Sequence, residues 1–444
     1  MKVLKFGGTS VGSAERMRQV AGLINDDDAK VVVLSAVSGT TNKLEELSEC
    51  LYQNNKELAK QKIESLKQEY RVLIDELFNT NEYKQKANGL IDAYFDFISG
   101  FTYDLFTLYE ERAVLAQGEL ISTGLFQYHL EEEGIVSVLI PALEFMRIDK
   151  YGEPDEYYIK ENLKREMEKH PFVDIFITQG YICRNAFGEI DNLKRGGSDY
   201  TASLIGVGLN AEEIQIWTDI DGMHNNDPRV VEGTQAVKEL SYDEAAELAY
   251  FGAKILHPSS VLPAQKANIP VRLKNTLNAS AEGTLIAKET ANAEQVTAIA
   301  AKDNITAIKI RSGRMLMAYG FMRHLFEVFE RYETPIDMIT TSEVAVSLTI
   351  DDSTHLDSIV KELRNYGEVE VDTDLTIVCI VGDFLADKHG HAALIFDSLR
   401  NIPIRMVSYG GSKNNVSLLV RSSHKKQALE ALNEGLFKRR EVHV

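Results

Sequence analysis

The sequence predicts an α/β protein. A mostly parallel, helix-covered sheet fills residues 1–290, and a tandem of two small α+β modules follows. Three observations carry this. Short, continuous β-branched runs such as Lys30-Val31-Val32-Val33-Leu34 alternate with stretches of helical periodicity. Several of those runs end in loops of Gly, Ser and Thr, where open α/β sheets hold ligands. Beyond residue 295 the units shorten and one pattern occurs twice.

Met1–Phe6 reads as the first strand. It breaks at Gly7-Gly8-Thr9-Ser10-Val11-Gly12, and a helix starts at Ser13-Ala14-Glu15 with Met17, Val20, Ala21 and Ile24 on one face. A strand running through paired glycines into a helix can cradle phosphate. Backbone N–H groups converge there, and the helix start adds about half a positive charge. Lys5, just before the glycines, can reach a transferring phosphoryl group, although an isolated Gly-Gly serves equally as a tight strand–helix turn. Lys30–Ser35 is the next strand, ending in the small-residue loop Ala36–Asn42.

Residues 43–133 read as mostly helical, an excursion from the sheet with long periodic stretches over Leu44–Leu73 and Tyr94–Leu130. Within it Glu119 stands beside Gly118 in apolar surroundings, whereas a lone Glu is usually solvated. Val136–Pro141 reads as a strand, Tyr158–Lys169 as a helix, and Phe172–Gln179 as a buried strand ending at Gly180. After the hairpin-like Asn185–Ile190, a second glycine pair, Gly196-Gly197, opens the helix that continues through Thr201–Leu209. Arg195 precedes that pair and Asp199 lies in the first turn. A guanidinium can take a carboxylate bidentately, and Asp199 can accept from an ammonium or simply cap the helix.

Glu213–Thr218 is a strand continued by the polar loop Asp219-Ile220-Asp221-Gly222 and Asn226-Asp227-Pro228-Arg229. Such a loop suits a nucleotide, and turns use the same residues. Ser241–Phe251 is a helix with a capping box in Ser241 and Glu244. Lys254 follows Gly252, and His257 lacks metal-ligand spacing, so it reads as structural. Ile269–Asn275 and Leu285-Ile286 complete the strands of the first part.

Bulk properties set limits. A length of 444 allows two or three domains, and 44% hydrophobic with 26% charged residues is ordinary for a globular protein. The net charge of -19 excludes a general attraction to nucleic acid or anionic lipid. An anionic substrate must therefore be met locally, by Lys, Arg, backbone N–H or Mg2+. No apolar stretch is long enough to span a bilayer, and the N-terminus has no signal-peptide layout. Cys50, Cys183 and Cys379 are odd in number and far apart, which fits a reduced cytoplasm and no disulfide or thiolate metal site.

In the tail, Glu327–Ile339 resembles Leu394–Val407, and their Pro-Ile-x-Met strings lie 68 residues apart. Each is followed by a strand containing Val-Ser-Leu, at Val346–Leu348 and Val416–Leu418. Helix, Pro-Ile strand, turn and strand, twice, is a pair of small sheet modules suited to oligomerisation or ligand sensing.

Taken together, Lys5-Phe6-Gly7-Gly8-Thr9-Ser10-Val11, Gln117-Gly118-Glu119, Arg195–Thr201, Trp217-Thr218-Asp219, Phe251–Pro258 and Ile339–Val344 closely resemble the aspartate kinases of the amino-acid kinase superfamily. The likeness runs over essentially the whole chain, with the strings in family order. It is nearest the single-function, lysine-sensitive branch, with no room after the modules for a homoserine dehydrogenase domain.

The resemblance implies a three-layer αβα sandwich kinase domain at 1–290 and two ferredoxin-like ACT modules at 298–372 and 373–444, with strands exchanged between them. It implies phosphoryl transfer from ATP to the side-chain carboxylate of L-aspartate, giving 4-phospho-L-aspartate, the first step toward diaminopimelate, lysine, threonine, methionine and isoleucine. That carboxylate is ionised at neutral pH, given a pKa near ~4, so no enzymatic base is needed. Positioning and charge neutralisation remain as the means of catalysis. On this resemblance Lys5, with the Gly7 and Gly8 amides, meets the phosphoryl group, and Asp199 orients the substrate or the Lys5 network. Thr41, Glu119, Arg195, Gly196 and Ser198 take the substrate, with Arg195 on its α-carboxylate and Glu119 on its ammonium. Thr218, Asp219, His224, Asp227, Arg229 and Lys254 take the nucleotide. Mg2+ arrives with ATP, held mainly by phosphates and water, so no dedicated protein metal site is expected.

On the resemblance, Met315, Gly320, Phe321, Asp337, Thr341 and Ser342 match a lysine-effector pattern at the first module's dimer interface, Met322 and Ile336 are milder apolar changes within the same effector set, and a homodimer or dimer of dimers through the modules is expected. His224 departs from the Tyr common in relatives, and Ala318 and Pro335 replace polar family positions. Two alternatives are a kinase of a related carboxylate and a catalytically dead amino-acid sensor. The intact set Lys5, Glu119, Arg195 and Asp199 opposes the second.

Overall fold

In the computed structural model, which describes residues 1–103, 105–193, 196–252, 258–290, 296–313, 319–382 and 390–438, the β-branched runs become strands and the periodic stretches helices. In chain order the first part holds β1 (Lys2–Phe6), α1 (Ala14–Ile24), β2 (Lys30–Leu34), α2 (Thr40–Tyr52), α3 (Lys56–Leu77), α4 (Asn81–Gly100) and α5 (Leu108–Glu132). Then come β3 (Val138–Leu139), α6 (Glu156–Glu168), β4 (Ile175–Gln179), β5 (Ile182–Arg184), β6 (Ile190–Asn192), α7 (Gly197–Leu209), β7 (Ile214–Thr218) and β8 (Glu239–Ser241). Last are α8 (Tyr242–Tyr250), α9 (Pro258–Ala267), β9 (Val271–Asn275) and β10 (Thr284–Ala287).

Eight of these strands form one sheet in the order β3-β4-β2-β1-β7-β9-β10-β8. The six from β3 to β9 run parallel, and β10 pairs antiparallel with β9. Parity along β1 decides which side chain meets which layer. Leu4 and Phe6 join Val32, Leu34, Ile175 and Ile177 in a core with α1 to α5. Lys5 therefore points to the opposite face, where α7 packs.

Two expectations, one helical and one for a strand, are refined. The stretch 94–130 is divided, because Thr107 caps a new helix and Glu110 returns to the Thr107 amide at 2.8 Å, a capping box that the Thr-x-x-Glu spelling already offered. The strand expected over 136–141 shrinks to two residues ahead of Pro141, which has no N–H to continue a ladder.

By Cα proximity Met1–Met223, Lys238–Tyr242 and Ile255–Glu289 form one unit, and His224–Val237, Asp243–Lys254 and Thr290–Val444 another. The second unit contains β11 (Val296–Arg311), α10 (Phe321–Arg331), β12 (Ile339–Thr341), β13 (Ala345–Ile350), α11 (Leu356–Leu363) and β14 (Glu368–Gly382). It continues with α12 (His391–Ser398), β15 (Met406–Tyr409), β16 (Asn415–Arg421) and α13 (Lys425–Leu436). One six-stranded antiparallel sheet, β12-β13-β11-β14-β16-β15, runs through it. Two cores cover this sheet. One joins Ile308, Ile310, Phe321, Leu325, Val346 and Leu348, and the other joins Val296, Ile299, Val378, Ile380, Val416 and Leu429. Among the described residues no helix is long and apolar enough to cross a membrane.

Candidate active site

Four strand ends of the first unit meet at one edge. The loop after β1 is held from both sides: the Gly7 amide donates to the Trp217 carbonyl at 3.3 Å, and Ser10 Oγ lies 2.7 Å from Thr276 Oγ1. Gly8 packs so closely on the loop after β2 that a Cβ there would sit 2.9 Å from the Ala36 carbonyl oxygen. Only glycine allows that approach.

Beyond β4, Gly180 packs against Ser198 with room for no side chain, since a Cβ would fall 2.3 Å from Ser198 Oγ. Ser35 Oγ donates to Ser198 Oγ at 2.9 Å, which ties the end of β2 to the first turn of α7. Gly196 caps α7 at φ 70°, a left-handed conformation that glycine takes without strain.

Into this edge Lys5 extends from β1 and Asp199 from α7. The ammonium lies 2.6 Å from Asp199 Oδ1, with both side chains mostly covered, at 12% and 16% exposure. Asp199 Oδ1 makes no aligned hydrogen bond, so the link is an ion pair off the usual bond axis. The ammonium hangs over Gly7, within 3.6 Å of where a Cβ would be.

Glu119 arrives from the middle of α5. Its Oε1 accepts from the Ala36 amide at 3.3 Å, and its Oε2 is buried without a partner. Burial pushes its carboxyl up to about 8, only partly opposed by the Ala36 amide. A buried acid with one orphaned oxygen is set to receive a donor. Gly118 lets α5 press on the same loop, where a Cβ would lie 2.9 Å from Ala36 Cβ and 3.3 Å from Thr40 Cγ2. Thr41 stands in the first turn of α2, and Thr40 beside it bonds the buried Tyr70 hydroxyl at 2.8 Å.

Lys5 on β1, Gly7 and Gly8 in the loop after it, Thr41 on α2, Glu119 on α5, and Gly196, Ser198 and Asp199 at the start of α7 thus lie toward one sheet edge. β7, which pairs with β1 up to Trp217 opposite Phe6, ends at Thr218 with Asp219 just after it, and Thr218 Oγ1 donates to Asp219 Oδ1 at 3.1 Å. Arg195 and Lys254 lie outside the described residues, as do His257, Met315 and Ala318.

His224, Asp227 and Arg229 belong to the second unit. There His224 Nδ1 lies 3.0 Å from Thr234 Oγ1. Arg229 grips Asp227 bidentately, with both contacts at 2.9 Å, which holds that carboxyl below its ordinary value. In the same unit Gly320 caps α10 at φ 83°, and Phe321, Met322 and Ile336 pack in one core. Asp337 Oδ1 takes the Lys302 ammonium at 2.6 Å and the Tyr250 hydroxyl at 3.2 Å, while its Oδ2 is buried without a hydrogen-bond partner. Burial drives its carboxyl up against the pull of Lys302. Thr341 and Ser342 stand exposed at the end of β12, and Pro335 is exposed ahead of it.

Sequence reasoning missed Ser35 and Tyr181. Ser35 was discoverable, since it is the first residue past a buried strand. Tyr181 was not: it takes φ 67°, donates its amide to Thr201 Oγ1 at 2.9 Å, and has its phenol pushed up by burial and the nearby Glu119 charge. Nothing in its spelling announces that backbone.

Comparison with known proteins places these observations. Residues 1–275 match the amino acid kinase family and residues 378–436 match an ACT domain. The chain is 33% identical to the lysine-sensitive aspartokinase 3 of Escherichia coli, across 98% of this chain and 99% of the relative. It is 34% identical to chloroplastic aspartokinase 2 of Arabidopsis thaliana, across 98% and 84%. Among solved structures it resembles E. coli aspartokinase III in complex with aspartate and ADP, at TM-score 0.83 and 32% identity over 98% of this chain and 100% of that one. The same enzyme with lysine and aspartate gives TM-score 0.84 and 33% identity over 98% and 99%.

Proposed function

Because the chain belongs to the aspartokinases of the amino acid kinase family and phosphorylates aspartate with ATP, we propose that the phosphoryl group crosses at the Lys5–Asp199 pair to the 4-carboxylate of L-aspartate. One observation carries this reading: a single ion pair at 2.6 Å stands between two glycine turns, with a buried carboxyl presented on the same edge. Lys5 and the Gly7 and Gly8 amides neutralise the phosphoryl oxygens as charge shifts. Asp199 keeps the Lys5 ammonium aimed between turns. Glu119 receives the substrate ammonium on its orphaned oxygen, Arg195 its α-carboxylate, and Thr41, Gly196 and Ser198 shape the pocket. Thr218 and Asp219, with His224, Asp227, Arg229 and Lys254, take the nucleotide.

A divalent cation accompanies ATP in this chemistry and offsets phosphate charge. Mg2+ would be held mainly by the ATP phosphates and water, and the exposed Asp219 would serve the nucleotide rather than a dedicated metal site. Residues 1–290 would form the kinase domain, and 298–372 and 373–444 the two regulatory modules. The product would feed lysine, threonine, methionine and isoleucine synthesis.

Lysine would inhibit through Asp337, supported by its unpartnered Oδ2 and by the lysine-bound relative, with Met315, Gly320, Phe321, Met322, Ile336, Thr341 and Ser342 around it. Assembly as a homodimer or dimer of dimers through these modules and a cytoplasmic location complete the reading. Three buried, unpaired cysteines suit a reducing compartment.

Coupled ADP release tests the central claim. Aspartate should support turnover and glutamate should not, and equal rates with both would remove the substrate assignment. Asp337→Asn should abolish inhibition by millimolar lysine and its binding heat, with uninhibited turnover unchanged.

A further inference from the structure

We propose that Arg112 and Asp191 are positioning residues for aspartate: their buried ion pair pins the β5–β6 hairpin to α5 and so sets both sides of the substrate pocket. The inference rests on the reading of Glu119 and the α7 turn as that pocket.

The hairpin needs such a pin. β5 and β6 form a two-stranded ribbon outside the eight-stranded sheet, joined to the rest of the described chain by a single β-bridge between Arg184 and Arg147. A lone two-stranded ribbon is marginal at best. Yet its open end is bonded to α7, the helix that carries Ser198 and Asp199. Tyr181, just before β5, accepts from the Leu193 amide at 2.8 Å, just after β6, and donates its own amide to Thr201 on α7. The turn end of the ribbon is tied elsewhere, by Arg184 donating to the Met146 carbonyl at 2.9 Å and accepting from Ile148 at 2.8 Å.

The charge contact lies between these ties. Arg112 Nη1 meets Asp191 Oδ2 at 2.5 Å, with Arg112 15% and Asp191 5% exposed. The other oxygen, Oδ1, takes the Asn192 amide at 2.7 Å, so the carboxylate has both oxygens engaged and one orientation. Arg112 and Glu119 are seven residues apart on α5, which puts them on one face of the helix, about 10 Å apart along its axis. The same rigid element therefore carries the acid and holds the ribbon whose open end is bonded to α7.

A buried pair of this kind adds little net stability over apolar residues of similar size, and what it supplies is fixed geometry. That difference makes the pair testable apart from folding. In the full chain, Arg112→Met with Asp191→Leu removes both charges at once and leaves no buried orphan. The expected result is an unchanged or higher melting temperature, a KM for aspartate raised about tenfold, and kcat and the ATP KM within about twofold. Arg112→Lys alone should recover most of the aspartate KM relative to Arg112→Met alone.

An unchanged aspartate KM in the folded double variant overturns the proposal, as does an equal loss for both substrates. Should the double variant fail to fold, Asp191→Asn, which keeps shape and loses charge, is read by the same KM split. Glu119→Gln runs alongside: if it leaves the aspartate KM unmoved, the pocket reading fails independently of the ion pair.

Discussion

Glu119 is a carboxyl whose burial can be measured by titration. Its folded value of about 8 lies above the ordinary 4.5, so the folded chain holds a proton that the unfolded chain has lost between those pH values. Stability from this group is therefore present at low pH and declines as pH rises through that window, the reverse of a salt-bridged acid. Binding a substrate ammonium requires the ionised form and so releases a proton below pH 8. The aspartate KM should fall as pH rises from 6.5 to 8, by up to about tenfold per unit, and then level off. Initial-rate measurements across that range give the slope, and Glu119→Gln should flatten it.

Lys5 makes a second expectation at this scale. Lys5→Ala should lower kcat by about a hundredfold or more while moving the aspartate KM little, because its contact strengthens as charge develops on the phosphoryl oxygens. A raised KM with normal kcat would return the lysine to a binding role.

Among elements, the loops after β1 and β2 behave as one piece. Gly8 rests on the Ala36 carbonyl, Ala36 donates to Glu119, and Ser35 reaches Ser198. Gly8→Ala drives a methyl to 2.9 Å from that carbonyl oxygen, so one loop must yield. Turnover should drop severely with only a modest loss in melting temperature, as circular dichroism and ADP release would show together.

This convergence is also where sequence reading stopped. The strand ends and both glycine pairs were legible from local spelling, whereas Lys5, Glu119 and Asp199 stood out only through the family resemblance, since alone each reads equally as a turn, solvated or capping residue. The link between Lys5 and Asp199 came from that resemblance too, because local spelling cannot show a contact between residues 194 positions apart, joined through the sheet order. Arg112 and Asp191 had no signal either. One lies in a helical stretch full of charge and the other in a three-residue strand, and only folding brings them to 2.5 Å.

At the scale of the whole molecule, the regulatory unit does not divide where the chain order suggests. Residues 296–302 of β11 pair with 377–382 of β14 and share the core of α12 and α13, whereas 305–311 serve the other core. A fragment of 373–444 lacks that first strand and should fail to fold cooperatively. A fragment of 296–444 should melt as a folded unit, and calorimetry of the two distinguishes them.

The bulge in β11 between Lys302 and Ile305 marks the seam. On its far side the chain leaves through Ile305, builds α10, β12, β13 and α11, and returns beside its starting point, with Ile305 opposite Leu375. Residues 305–372 are thus an insert carried inside a hairpin, with their two junctions on neighbouring strands. The cost to the host of closing such an insert grows only slowly with the insert's length. An inherited or engineered exchange of this cassette could change which small molecule is sensed without disturbing the core of α12 and α13. On the proposed effector assignment, sensing specificity would be a replaceable part.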